Sequence, residues 1–177
     1  MALIIPKKVL KWQKKDYMKT RPREFYWTKP EMVKDLIKLV PFKKGDLVLD
    51  AGSGANKVFY NNIPKECKRY ECELESGCDF YKWDKKVDII LGNPPFYDGW
   101  KFLDKASQIA NEGIAFLGNI NFWNSTILPN RLELLKSRGF YLNKIHIIQD
   151  KRWWGRYVFL IFKKEKSELI SWNKKTY

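Results

Sequence analysis

The chain is poor in the side chains on which most hydrolytic and metal chemistry depends. His146 is the only histidine in 177 residues. Cys67, Cys72 and Cys78 are an odd number of cysteines at spacings that fit no zinc pattern, so no metal site is expected. They read as reduced core thiols of an intracellular protein. No apolar run reaches the length of a membrane span, and the opening MALIIPKKVLKWQKK lacks the apolar region of a signal peptide, so no membrane association is expected. Internal repeats and low-complexity tracts are also missing. What remains is a length suited to one domain and an apolar share of 45%, enough for a sizeable core.

Acidic residues are in deficit, and unevenly so. Lys and Arg number 34 against 20 Asp and Glu, a formal charge of +14. Residues 1–44 carry 13 basic and 4 acidic side chains (net +9), residues 45–100 carry 7 and 10 (net −3), and residues 101–177 carry 14 and 6 (net +8). A basic periphery around an acidic centre, in a chain that is 16% aromatic, points to a polyanionic partner outside and a small, cationic ligand inside. A solvated lysine-rich face is the plainer explanation of the same charge.

Residues 1–24 are polar, basic and weakly periodic, and read as an arm ahead of a domain over 25–165, with a tail over 166–177. TKPEMVKDLIKLV opens a helix: Thr28 and Glu31 have capping-box spacing, Pro30 suits the first turn, and Met32, Val33, Leu36, Ile37 and Val40 form one stripe. GDLVLDAGSG is a short strand running into a glycine turn and then a helix. KRYECEL and KVDIILG are further strands, DGWKFLDKASQIANEG a helix stopped by Gly113, IAFLGNINF a strand, and NRLELLKSRGF a helix closed by glycine. LNKIHIIQD and YVFLIFKK read as two strands joined by the turn KRWWGR. Near-continuous apolar strands alternating with helices predict an α/β fold with a sheet covered on both faces, mostly parallel and made mixed by the terminal hairpin.

In open α/β sheets ligands bind beyond the carboxyl ends of the strands, where small residues let the backbone approach. LVLDAGSGAN puts Asp50, Gly52 and Gly54 at such a place, although Asn56 and Lys57 stand where a dinucleotide cradle has its third glycine. The next strand ends in Glu71, Cys72, Glu73, Leu74 and Glu75. A carboxylate there can take both hydroxyls of a ribose; Glu73 is favoured over Glu71 because it lies nearer the carboxyl end of the same strand face. In the following GCDFYKW, Asp79 can accept from the amino group of an adenine, and Phe80 either packs on that ring or belongs to the core.

KVDIILGNPPFYDGW ends a buried strand in a turn stiffened by two prolines. An exocyclic amine such as adenine N6 is a poor nucleophile, because its lone pair is delocalised into the ring. Two acceptors aimed at its two hydrogens draw it toward tetrahedral geometry and free that lone pair. The Asn93 side-chain oxygen and the Pro94 carbonyl are two such acceptors, Pro94 and Pro95 offer no competing N–H, and Phe96 supplies a ring on which a base can stack.

The set formed by DAGSG, an acidic residue after the next strand, DF and NPPF resembles the class I S-adenosylmethionine-dependent methyltransferases of the amino type. The order with YWTKPE ahead of the glycine turn is similar to that of the gamma group of N6-adenine DNA methyltransferases. The resemblance spans about residues 25–162 and implies a Rossmann-like three-layer methyltransferase fold. It also implies that Thr28, Asp50, Gly52, Gly54 and Glu73 meet S-adenosylmethionine, that Asp79 and Phe80 hold its adenine, and that Asn93, Pro94, Pro95 and Phe96 form the catalytic turn holding the target base. Only five residues separate Glu73 from Asp79, leaving no room for the helix usual at that place in the family.

Duplex-reading enzymes of this group resemble two-domain proteins, and this chain has no length left for a target-recognition domain. Recognition then falls to the arm, to a protein partner or second copy, or to the turn in which Trp153 and Trp154 are flanked by Lys151, Arg152 and Arg156, a set suited to stacking on unpaired bases and gripping phosphates. Trp123 is a weaker candidate for the same task. The sequence thus leaves three readings: N6-adenine methylation of DNA, which it favours; adenine-N6 or guanine-N2 methylation of structured RNA such as ribosomal RNA; and a silent nucleic-acid-binding subunit of an active homologue. A protein-glutamine methyltransferase, which also uses an NPP turn, usually ends it in tyrosine and has no use for so much positive charge.

Overall fold

The computed structural model describes residues 28–150 and 156–171; the assigned arm and the hairpin tip with Lys151, Arg152, Trp153 and Trp154 lie outside the described residues. In chain order the elements are α1 (Pro30–Ile37), β1 (Leu47–Ala51), α2 (Val58–Asn62), β2 (Lys68–Cys72), 3₁₀ turns at Leu74–Ser76 and Phe80–Lys82, β3 (Val87–Gly92), α3 (Gly99–Ile109), β4 (Ala110–Asn119), α4 (Ile120–Thr126), α5 (Pro129–Ser137), β5 (Tyr141–Gln149) and β6 (Arg156–Lys163). The six strands form one sheet in the order β2-β1-β3-β4-β6-β5. Pairing is parallel from β2 to β4, and β6 runs antiparallel to both of its neighbours.

Because side chains alternate across a strand, each apolar run feeds two cores. Val48, Ile89, Leu91, Ala115, Leu117, Phe159 and Ile161 pack under α1 and α2 with Val33, Leu36 and Phe59. Leu49, Ile90, Ile114, Phe116, Leu160 and Phe162 pack on the opposite face with Phe102, Leu103, Phe122 and Leu135 of α3, α4 and α5. Three layers result, as the resemblance implied. No helix stands between β2 and β3; two 3₁₀ turns fill the space, and β2 is left as an edge strand.

Four expectations need correction. The Thr28–Glu31 capping box does not form: Lys29, one residue later, is the N-cap of α1 and no side chain caps it, while the Thr28 hydroxyl accepts from Asn93. The helix expected to run to Gly113 ends at Ile109; residues 110–113 join β4, with Ala110 opposite Val87 of β3 and Gly113 between Ile89 of β3 and Lys163 of β6. At the far end β4 stops at Asn119, whose side-chain oxygen accepts from the N–H groups of Asn121 and Phe122 and starts α4, so residues 120–122 are helix where the sequence pattern predicts strand. Finally, Cys72 and Cys78 are not free thiols but a disulfide with Cα atoms 5.0 Å apart, while Cys67 is a free, buried thiol. Gly77 with φ 86° turns the chain back between them, so the six-residue separation closes easily.

Phe122 anchors this side of the sheet. A Cβ on Gly99 would come within 2.5 Å of its ring, and one on Gly118 would overlap it. These two small residues form the slot that holds α4 against the start of α3.

Asp50, at the end of β1, is fully buried. Its Oδ2 accepts from the Tyr60 N–H in the first turn of α2 at 2.8 Å, and its Oδ1 has no partner. Burial pushes its pKa up to about 7; the Tyr60 N–H opposes that rise, and the charges of Glu71 and Glu73 add to it. A carboxyl whose native pKa is raised keeps a proton that the unfolded chain has already released, so stability falls as pH climbs from the ordinary carboxylate range toward 7. Asp50→Asn keeps the acceptor for Tyr60 and removes the buried charge. We expect the variant to melt close to the native protein at pH 5 and several degrees above it at pH 8. Thermal melts at the two pH values check this, and a gap that does not widen with pH would refute it.

Candidate active site

Apart from Thr28, which precedes α1, the described residues that the sequence marked for the small ligand and the target lie at or just beyond the carboxyl ends of β1, β2 and β3. The β1 turn is made by Gly52 and Gly54, with φ of 73° and 64°. Its N–H groups at Gly52 and Ser53 donate to the Cys72 carbonyl at 2.8 and 3.3 Å, which pins the turn over the end of β2. Glu73 lies beside it, its Oε2 accepting from the Gly54 N–H at 2.7 Å. Glu71, the other carboxylate considered, pairs through Oε1 with Lys57 at 2.5 Å. Lys57 is the only non-glycine among the described residues with positive φ, and it starts α2.

Asp79 follows the disulfide and closes the second 3₁₀ turn, its Oδ1 accepting from the Tyr81 N–H at 3.0 Å. Phe80 is 4% exposed and stacks on Phe102 with centroids 4.9 Å apart, so its ring is part of the core beneath the turns.

On β3, Gly92 has φ 149°, and a Cβ there would stand 2.6 Å from the Ala51 carbonyl oxygen and 3.2 Å from Asp50 Oδ1. Only glycine lets the two strand ends approach this closely. Immediately after it, Asn93 Nδ2 donates to Thr28 Oγ1 at 3.1 Å, while Asn93 Oδ1 is buried and has no partner. The Pro95 carbonyl accepts from the Asp98 N–H at 2.9 Å, closing the proline turn onto the start of α3. Phe96 is half-buried against the Tyr157 ring, with centroids 5.7 Å apart. Tyr97, by contrast, is 81% exposed.

Five buried side-chain oxygens among the described residues lack partners, and four of them belong to this region: Asp50 Oδ1, Ser53 Oγ, Glu71 Oε2 and Asn93 Oδ1. Native interiors seldom leave such atoms unpaired, and a cluster of them marks a place shaped for a ligand. Two cavities are defined among the described residues, and only one of them touches this region. One of about 260 Å³ sits at the opposite ends of β3 and β4, between Val40, Asp46, Gly113 and Lys163, and one of about 360 Å³ lies beside Asp79, lined by Gly77, Lys82 and Trp83.

Thr28, expected at the small ligand, stands at the proline turn. Arg156 opens β6 and is exposed, and Trp123 is half-buried on α4 against the core. The sequence reading missed Ser53, Tyr81, Asp98, Phe102 and Tyr157. Asp98 carried a signal, an acidic residue directly before a helical pattern; the others depend on contacts between distant segments.

No family model and no curated protein matches the sequence. Solved structures of like fold exist. The magnesium protoporphyrin IX methyltransferase from Synechocystis PCC 6803, with bound SAH, has a TM-score of 0.57 at 11% identity, covering 90% of this chain and 100% of that one. A 23S rRNA methyltransferase has a TM-score of 0.52 at 12% identity, covering 81% and 71%. A dimethyladenosine transferase from Plasmodium falciparum has a TM-score of 0.53 at 13% identity, covering 77% and 61%. The fold is thus the Rossmann-like one of these methyltransferases, a mostly parallel sheet with an antiparallel hairpin at its end.

Proposed function

We propose that the chain is an S-adenosylmethionine-dependent methyltransferase acting on adenine N6 in nucleic acid, with DNA the first substrate to test. The observation that carries this reading is Asn93. Its amide nitrogen is held by Thr28, so its oxygen is turned away from that bond, and this oxygen is buried without a partner at the tip of a proline-locked turn. An orphaned acceptor beside a stackable ring is what a two-hydrogen amine requires.

The residues around the glycine turn suit a cationic cofactor. Asp50, Glu71 and Glu73 gather negative charge there, and three unpartnered oxygens face no protein donor. Asp50, Gly52 and Gly54 would line the amino-acid end, Glu73 would take the ribose hydroxyls, and Asp79 would accept from the adenine amino group, with Phe80 supporting the turn from below. Bound S-adenosylmethionine supplies a methyl group made electrophilic by its sulfonium.

The chain's own part is to prepare the acceptor. Asn93 Oδ1 and the Pro94 carbonyl accept hydrogen bonds from the two N6 hydrogens, which frees the nitrogen lone pair for the methyl group, and Phe96 holds the base plane; the methylated nitrogen then loses one proton to solvent. Thr28 keeps the Asn93 amide from rotating. Lys151, Arg152, Trp153, Trp154 and Arg156 would hold the polynucleotide by phosphate contacts and stacking. The name of the dimethyladenosine transferase among the structures of like fold agrees with an adenine substrate, and that of the 23S rRNA methyltransferase keeps RNA as the second reading.

Labelled methyl transfer from S-adenosylmethionine, followed by nucleoside mass spectrometry on duplex DNA, single-stranded DNA and RNA, tests the proposal. N6-methyladenine in DNA is the expected product. The same base in RNA alone moves the assignment to RNA, N2-methylguanine overturns the adenine reading, and cofactor binding without transfer to any polynucleotide favours a silent subunit. Asn93→Ala is expected to lower the rate by about two to three orders of magnitude while leaving the cofactor affinity measured by calorimetry within about twofold. Replacing Trp153 and Trp154 together by alanine is expected to weaken polynucleotide binding at unchanged cofactor affinity; unaltered binding discards that part of the assignment.

A further inference from the structure

Residues 95–98 form a tight turn, closed by the Asp98 N–H donating to the Pro95 carbonyl at 2.9 Å, and both of its central residues are aromatic. The two rings meet different fates. Phe96 leans on Tyr157 and joins the core under α1 and α2. Tyr97 stands 81% exposed, more than any other large aliphatic or aromatic side chain among the described residues. Its base is firm. The Asp98 carbonyl accepts from the Phe102 N–H at 3.0 Å at the head of α3, and Gly99 is pressed against the Phe122 ring. Folding therefore fixes the backbone that carries this ring without burying the ring.

A single exposed aromatic calls for no explanation, but this one has company. β3 and β4 are parallel neighbours, so the proline turn and the start of α4 leave the sheet at the same edge, that of the candidate site. There Ile120 is exposed too, on the helix that Phe122 holds against the start of α3. Charge beside the ring is balanced, because Asp98 Oδ1 pairs with Lys101 Nζ at 2.9 Å. Such surroundings offer a phosphate no net attraction and suit the flat, uncharged face of a base.

We infer that Tyr97 stacks on the nucleotide next to the target base, so that this chain takes its target from an unpaired strand. The inference rests on the methyltransferase reading only for what Phe96 binds. Adjacent residues have Cα atoms about 3.8 Å apart, close to the roughly 3.4 Å rise per nucleotide along one strand. Two successive rings can thus serve two successive bases. Stacking of this kind tolerates any sequence, because every base has a π face. In an intact duplex the neighbouring base is paired and covered on both sides by its own stack, and Tyr97 finds no face to meet.

Tyr97→Ala removes the ring and Tyr97→Phe keeps it. The probe is a short single-stranded DNA holding one adenine, with 2-aminopurine placed in turn on each side of it; this fluorophore dims when it stacks on an aromatic ring. Titration with the native chain, without cofactor, is expected to quench it at one of the two positions. Tyr97→Ala is expected to lose the quenching and to bind about tenfold more weakly. Its melting temperature should change little, because the side chain lies in solvent. Tyr97→Phe should retain both properties. The dependence of affinity on salt should be the same in all three proteins, since no phosphate contact is lost. A fully paired duplex of the same sequence should bind the native chain and Tyr97→Ala alike. In the active enzyme the alanine variant should raise KM for the single strand about tenfold, with kcat within about twofold. Undiminished quenching and affinity in Tyr97→Ala would overturn the inference and leave the ring to a protein partner. A native chain that quenches the probe at neither position would overturn it as well. Quenching through Tyr97 with no methyl transfer from S-adenosylmethionine to any polynucleotide would keep the stacking contact and sink the methyltransferase reading alone.

Discussion

The close approach of two strand ends governs the rest of this molecule. At Gly92 the backbone of β3 comes so near the Ala51 carbonyl that no side chain fits, and the residue that follows is Asn93. That contact brings the glycine turn of β1 and the proline turn of β3 to one place. Parallel pairing supplies the alignment, with Asp50 level with Leu91 on one side and Glu71 on the other. Both turns project from the same edge of the sheet, where backbone amides and side-chain oxygens can converge on a ligand.

The glycine-turn side of this site is built with little material. Where a helix usually covers β2 in such folds, the chain between Cys72 and Cys78 is closed by a disulfide, and two 3₁₀ turns carry Glu73 and Asp79 on either side of it. The carboxylates are held by backbone N–H groups, Glu73 by that of Gly54 across the β1 turn and Asp79 by that of Tyr81, rather than by a packed helix. The proline side is built differently. α3 and α4 lock together through Phe122 between Gly99 and Gly118, and Thr28 reaches in from the start of α1 to hold Asn93. The proline turn is therefore held by packed helices and the glycine turn by a lighter rim.

Charge divides along the same line. Asp50, Glu71 and Glu73 crowd the β1–β2 edge closely enough that burial and mutual repulsion raise the Asp50 pKa, whereas the basic residues that give the chain its +14 lie mainly in the segments before and after that region. The acidic interior suits a cation, and the basic periphery suits a polyanion. That partition was already visible as a net charge of −3 over residues 45–100.

The sheet, its parallel order and the closing hairpin were legible because continuous apolar strands and glycine or proline punctuation report local preferences directly. The proline turn was legible for the same reason, since two adjacent prolines allow few backbone paths. Other features required distant residues to meet. Thr28 caps nothing and holds Asn93 across 65 positions; residues 110–113 give up helix for sheet as β4 comes alongside β3; Cys72 finds Cys78 only once the chain turns at Gly77. By itself the sequence determined which residue types stand at the strand ends, through periodicity and turn chemistry that act over a few neighbours. The tertiary structure alone decided which of them touch, because hydrogen bonds and ring contacts between segments arise only when packing brings their partners within a few ångströms.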